Sequence, residues 1–487
     1  MDINQKIPIE VKNIINALQK EGYSAYAVGG AVRDIIMGYE PKDWDIATLA
    51  KPDEIIKIFP DNVYENQFGT VGIKTRSEDK RVAVVEVTTF REDGLYSDYR
   101  RPDEVKFADN IQSDLSRRDF TVNAMAVSID GEIIDLFGGR EDIKNKIIKT
   151  VGKPEARFRE DALRLMRAVR FAAELNFNIE PETFRAIIAN ADLLSKIATE
   201  RIKDEFIKII ASKDSGPAWG LVQMEKMGLL KYVVPELLEG VGITQNKHHI
   251  YTVWEHNLRA LDYAAKDGTS FEVRLAALLH DVGKPKSKSG EGADSTFHAH
   301  EIIGARMAKK IMERLKFNRE AIDKVVHLVR HHLFYYNVGE VTEAGVRRFI
   351  NRVGEKNIDD LLKIREADRI GSGVPKAVPY KTRHLRFMID KVKRDPISPK
   401  MLEINGTKLM EHLRIVSGPR VGMILGIILE EVLDNPDKNK EQTLLQRALE
   451  LNNLEERELV EMTKKAKAVK QEFEAEAEEK IKQKHKV

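Results

Sequence analysis

The sequence predicts an α+β protein. An N-terminal head is built on a small mixed sheet, and the remainder is all-α. Three observations carry this. Between Ser24 and Phe137, short apolar runs alternate with turn residues, the pattern of strands and short helices. From Glu141 onward the chain reads as helix almost without interruption. Finally, 487 residues with 32% charged side chains suit a multidomain, largely helical chain with several cores.

Taken in order, residues 1–23 read as an amphipathic helix, mixed in charge and unlike a signal peptide. AYAVGGAVRDIIMGYEPKDWDIAT, from Ala25 to Thr48, reads strand, double-glycine turn, short helix and second strand. VGIKTRS, RVAVVEVTTF, DEVKFAD and GEIIDLF read as further strands. Arg159–Leu175 reads as one helix. Its Leu163, Met166, Val169 and Ala173 are apolar, and Asp161, Arg164, Arg167 and Arg170 recur every three residues as a polar stripe. In TERIKDEF, Thr199 is expected to cap a helix. GSGVPKAVPYK, from Gly371 to Lys381, reads as a loop or linker, and the tail from Asn452 to Val487 as a solvated helix.

Composition narrows the function classes. There is no cysteine, so disulfides, thiolate metal sites and a cysteine nucleophile are excluded, and a reducing cytoplasm is expected. No apolar run approaches the length of a membrane span. The net charge of +2 gives no global basic footprint, so any nucleic-acid site has to be local. One candidate is Arg140–Arg170, with ten Lys/Arg against five Asp/Glu.

The Ala25–Thr48 stretch holds the densest chemistry. Side chains alternate along a strand, so Asp43 and Asp45 face one way while Trp44 and Ile46 face the core. Paired carboxylates repel unless a cation lies between them, and Mg²⁺ favours one or two carboxylates plus substrate phosphates. Gly29 and Gly30 let backbone approach a phosphate, and the fork of Arg33 can meet a phosphate oxygen. This combination resembles the nucleotidyltransferase head of class II tRNA nucleotidyltransferases and bacterial poly(A) polymerases, within the polymerase-β-like superfamily.

Further segments extend the resemblance. ENQFGTVGI, from Glu65 to Ile73, is similar to the tRNA nucleotidyltransferase version rather than the more basic poly(A) polymerase run. In VVEVTTFR, Glu86 is either a third carboxylate near the metals or a surface residue. EDGLYSDYRRPDEV, from Glu92 to Val105, resembles the flexible loop of full CCA-adding enzymes. SRRDFTVNAMA matches the family's RRDFTxNA motif, which implies that Arg118 contacts the triphosphate while Asp119 and Asn123 organise the site. DLFGGREDIKNKIIKTVG resembles the head–neck hinge, its paired glycines giving freedom to bend. Glu160, Asp161 and Arg164 match EDxxR, which implies that Asp161 and Arg164 read the base edge, with Arg167 and Arg170 alongside as nucleotide-binding residues. The chemistry permits this: a carboxylate accepts from the amine of C or A, and a guanidinium donates to ring acceptors.

A second constellation follows. VRLAALLHDVGKPK ends a helix on His280-Asp281, and nine of twelve histidines fall between His248 and His332. Imidazole with carboxylate suits Mn, Fe, Ni, Co or Zn. The set resembles an HD phosphohydrolase domain, with His256, His300, one of His331 or His332 (His331 being the assignment adopted) and Asp368 as further ligands. An inert HD domain that only grips tRNA is the other reading.

The resemblance implies a CCA-adding tRNA nucleotidyltransferase using CTP, ATP and Mg²⁺, with tRNA as partner and neither DNA nor membrane. The alternatives are an A-adding enzyme or poly(A) polymerase, an HD phosphohydrolase acting on 2′,3′-cyclic phosphates, or a tRNA-binding protein with an inactive HD domain. The expected organisation is a head at 1–140, a nucleotide- and RNA-binding neck at 141–211, a connecting body at 212–244, HD at 245–370 and a C-terminal tRNA-contacting region at 371–487. There, the GPRVGMIL segment resembles one that ends many such chains. Oligomeric state is not legible.

Overall fold

The computed structural model describes residues 3–64, 69–93, 105–246, 250–373, 378–393, 402–466, 482–483 and 485–486. Parts of four expected features lie outside them: residues 65–68 of the Glu65–Ile73 strand region, 94–104 of the polar loop, 374–377 of the linker and most of the tail beyond residue 466.

The head sheet has seven strands. β1 is Ala25–Val28, β2 Asp45–Thr48, β3 Asn62–Tyr64, β4 Thr70–Lys74 and β5 Val84–Thr89. β6 (Arg91–Asp93) and β7 (Val105–Phe107) form a separate antiparallel pair, and β8 (Ala126–Val127) and β9 (Ile133–Ile134) complete the main sheet. The order is β3-β4-β5-β2-β1-β8-β9. Only the β2–β5 pair is parallel; the rest are antiparallel. The sheet is thus mixed, as its sequence suggests. β3, β6 and β8 are the strands the periodicity does not mark, each being two or three residues long.

Alternation along the strands sends residues to two cores. Ala27, Ile46 and Val87 pack with Val11, Ile14, Ile15 and Leu18 of the Ile9–Lys20 helix. Val28 and Ala47 pack on the other side with Phe90, Leu115 and Ala126. Trp44 joins the first core, which fixes the opposite orientation for its neighbours Asp43 and Asp45.

Beyond Gly139 helices dominate. Two expectations change here. Arg159–Leu175 is not one helix: Pro154–Glu160 ends at Asp161, whose backbone is extended (φ −135°, ψ 103°), and a new helix runs Arg164–Leu175. The Asp161 carboxylate accepts from the Leu163 N–H at 3.0 Å, satisfying a donor that the break would orphan. And Ala198, not Thr199, is the N-cap of the Thr199–Ala211 helix, with no side-chain cap.

The chain forms two compact units. The first comprises Met1–Leu333 and Lys363–Pro375, the second Phe334–Leu362 and Lys376–Val487. The second has its own core, in which Leu409, Ile424, Ile427, Ile428 and Leu444 are almost wholly buried. No helix among the described residues is long and apolar enough to cross a membrane.

Candidate active site and histidine cluster

The head site is built around a close approach of side chains to the backbone at Gly29. Its φ of +78° with ψ of −132° is a conformation reserved for glycine. A Cβ there would stand 2.8 Å from Arg118 Nη1 and 3.7 Å from Asp45 Oδ2. The absent side chain therefore opens a cradle between a cation and a carboxylate. The Gly29 N–H is already donated to Met125 O at 3.2 Å. Gly29 thus contributes room, rather than the phosphate-binding amide its motif suggests.

Asp45 opens β2, opposite Val28 on one side and level with Glu86 on the other. Burial pushes its carboxyl up to about 6; Arg118 opposes this, while Glu86 and Asp43 add to it. Asp43, Asp45 and Glu86 are thus like-charged hard-oxygen groups that act on one another here. Asp43 lies in the bend just before the strand and is exposed.

The arginines are anchored by residues the motifs only partly announce. Buried Asp114 accepts from Arg118 Nη2 at 3.1 Å and from Arg117 Nη2 at 2.7 Å. Burial alone would raise its pKa, but Arg118 and Arg117 outweigh that and hold it low. Arg33 is committed to Asp34 (2.7 Å) and to Asn123 Oδ1 (2.7 Å), so in this state its fork ties the glycine turn to the Asn123 segment. Asp119 pairs with Arg167 at 2.6 Å and accepts from the Phe120 N–H at 2.8 Å. Gly139, expected to confer bending, is closely packed: a Cβ there would meet Thr121 O at 2.3 Å.

The EDxxR pair is split between partners. Asp161 is gripped by Arg201 at 3.0 Å, whereas Arg164 bonds Glu160 at 2.6 Å and Arg117 O at 2.9 Å. Arg170 reaches buried Glu205 at 3.3 Å. Phe171, which no motif marks, lies beneath three guanidiniums: Arg170 at 4.0 Å, Arg167 at 5.2 Å and Arg33 at 5.5 Å from its ring centre.

The histidine cluster lies wholly within the first unit. His256 and His280 present Nε2 atoms 2.9 Å apart. His256 Nε2 is 3.1 Å from Asp281 Oδ2 and 3.4 Å from Asp368 Oδ1. The other oxygen, Asp281 Oδ1, faces His300 Nε2 at 3.4 Å and His332 Nε2 at 3.6 Å. Two ligand groups result, His256–His280–Asp368 and Asp281–His300–His332, with Asp281 reaching both. The Nδ1 atoms of His280, His300 and His332 each lie 2.7 Å from a backbone carbonyl, of Ala277, Phe297 and Val329. That fixes the tautomer and turns each Nε2 lone pair inward, as metal-ligating histidines require. Despite burial, Asp281 and Asp368 push His280 up to about 10, which shows how strongly the carboxylates favour positive charge here. The imidazole-and-carboxylate donor set fits a borderline divalent transition metal.

His332, not His331, joins this cluster. His331 is half-buried and lies against His327, with ring centres 4.5 Å apart and ring planes tilted by 56°. Lys284 was not foreseen. It is buried, with Nζ 2.5 Å from Asp281 Oδ2 and 2.6 Å from Gln245 Oε1. Its signal was present in the sequence, three residues after Asp281.

Head and histidine cluster together have the layout of a polymerase-type head joined to an HD domain. Comparison with known proteins agrees. The Poly A polymerase head domain matches residues 25–149, the probable RNA- and SrmB-binding site of polymerase A matches 176–240, and the HD domain matches 253–371. A Levilactobacillus brevis CCA-adding enzyme is 47% identical over 220 residues, 45% of this chain and 54% of that protein. One from Geobacillus thermodenitrificans is 48% identical over 227 residues, 46% and 54% of the two chains. Such alignments span about half the length of these relatives. The structure of the Bacillus stearothermophilus CCA-adding enzyme in complex with CTP is 31% identical, with a TM-score of 0.59 over 91% of this chain and 97% of that one. The chain belongs to the CCA-adding enzyme family.

Proposed function

We propose that this protein adds C, C and A to the 3′ end of tRNA from CTP and ATP, without a nucleic-acid template and in the cytoplasm. The observation that carries the reading is the Gly29 cradle between Asp45 and Arg118, in a chain similar to a CTP-bound relative over nearly its whole length. In this reading the tRNA 3′-hydroxyl attacks the α-phosphate and pyrophosphate leaves. Asp43 and Asp45 would hold Mg²⁺, which when bound would supply charge neutralisation at the reacting phosphate. Arg118, braced by Asp114, meets the triphosphate in the space Gly29 leaves open. Asp161 and Arg164 select the base, and Arg167 and Arg170 hold the neck helix against Asp119 and Glu205. The head is residues 1–140 and the neck 141–211, followed by body, HD and C-terminal regions as the sequence divides them. Kinship with CCA-adding enzymes favours this over A-only addition or polyadenylation.

The HD cluster supports a second activity, metal-dependent phosphohydrolysis of 2′,3′-cyclic phosphates, through Asp281 and the five ligands on its two faces. The deciding experiment incubates the protein with tRNA lacking CCA and each NTP separately. CTP alone should extend the RNA by two residues and stop. Runs of A, or no extension at all, would refute the CCA reading.

A further inference from the structure

We propose that the second unit carries an RNA-binding site: an aromatic cleft for one unstacked base, flanked by two arginines for the adjoining phosphates. The cleft has a volume of about 300 Å³, near the lower end of the range for small-molecule sites, about 300–1,000 Å³. Three successive aromatics form one wall. Phe334 turns inward on Phe349, ring centres 4.9 Å apart, and the Tyr336 hydroxyl lies 2.6 Å from His384 Nδ1. With both neighbours fixed, Tyr335 between them is presented outward and is 73% exposed. Its hydroxyl is held by Glu340, so the ring is oriented as well as exposed. An exposed, oriented aromatic beside a cleft is a stacking platform, since every base has a π-face.

The charge points to the same ligand. Arg348 and Arg352 line the cleft one helical turn apart, and both are exposed. Among the described residues neither makes an ion pair or side-chain hydrogen bond. Nearby carboxylates are used elsewhere: Glu343 on Arg347 and Lys391, Glu355 on Lys393, Asp359 on Arg386. Two like charges at i and i+4 repel, and an anion between them removes that cost. Aromatic platform plus unpaired guanidiniums is the chemistry of a single-stranded RNA segment, and identifying that segment as part of tRNA rests on the proposed function.

The test uses the full chain and a tRNA transcript lacking CCA, with binding followed by fluorescence anisotropy across a salt series. Tyr335→Ala should weaken binding about tenfold, the loss of one stacked base. Arg348→Gln with Arg352→Gln should lower affinity at low salt and flatten the salt slope by about 1 per arginine. Tyr335→Phe and the paired Arg→Lys changes should retain parental binding. Parental affinity and slope in the Ala and Gln variants would overturn the site, and so would equal losses in the conservative variants. If the parent binds this RNA but adds no nucleotide, the CCA reading fails while the site stands.

Discussion

Asp45 and Glu86 stand level across the one parallel strand pair of the head sheet, so two carboxylates share one face at the strand end. Glu86 is one cause of the raised Asp45 pKa. A carboxylate must lose its proton to hold a cation. Mg²⁺ affinity, measured by calorimetry without nucleotide, should therefore be level above about pH 6 and fall about tenfold per pH unit below it. Glu86→Gln should shift that fall to lower pH by relieving repulsion on Asp45. If instead the variant loses nucleotide addition by orders of magnitude at every pH, Glu86 is itself a ligand.

Removing either primary carboxylate is more severe. Asp43→Ala or Asp45→Ala should cost about 10³-fold or more in the rate of nucleotide addition, the scale of losing one charge-stabilising element. Thermal unfolding should change little for Asp43→Ala, because Asp43 is exposed and lies outside the strand. Near-normal incorporation by either variant would remove the pair from the chemistry.

Gly29→Ala places a methyl group in the cradle, 2.8 Å from Arg118, at a backbone conformation that disfavours any side chain. The strain should cost about 1–3 kcal/mol of stability. Displacement of Arg118 should lower kcat/KM for CTP about 10²-fold, the usual price of an ångström-scale misplacement. Steady-state kinetics beside a melting curve separates the effects. A stability loss with unchanged kinetics would show that the space is structural.

Base choice tests the split EDxxR pair. Asp161→Ala or Arg164→Ala should relax discrimination by about 1–3 kcal/mol, seen as UTP and GTP misincorporation. Arg201 grips Asp161 at 3.0 Å, so Arg201→Met should relax selectivity in the same direction by freeing the carboxylate. Intact selectivity in all three variants would place base selection elsewhere.

How far the sequence reaches is visible in these residues. The placing of Asp45 was legible because period-two alternation sends Trp44 and Ile46 into the core and leaves the other face for the carboxylate, but Asp43 falls in the bend before the strand. The break at Asp161 was not. The Asp161–Arg170 spacing fits a continuous helix, whereas at the break the Asp161 carboxylate is shared between the Leu163 N–H and Arg201, 40 residues away. Gly29 was legible as a place of close backbone approach but not as the seat of Arg118, which arrives from 89 positions later. Lys284 and Phe171 likewise gain meaning only from what packs against them. His332 was in principle decidable. Ile322, Val325 and Val329 are buried at spacings of three and four, and the next member of that face is position 332, not 331.

That helical phase supplies the last prediction. His332→Ala should lower transition-metal content, because it removes a ligand facing Asp281 Oδ1, while His331→Ala should leave it unchanged. His280→Ala with Asp281→Ala should eliminate metal and any hydrolysis of a 2′,3′-cyclic phosphate, since Asp281 faces both ligand groups. The head site depends on hard oxygen ligands and the cluster on imidazole, so the two should be separable, and this double variant should still add CCA. Metal analysis, the hydrolysis assay and nucleotide addition on one preparation decide the matter. Metal lost equally from His331→Ala would refute the ligand assignment. Loss of CCA addition in a well-folded double variant would show that the HD domain takes part in positioning tRNA.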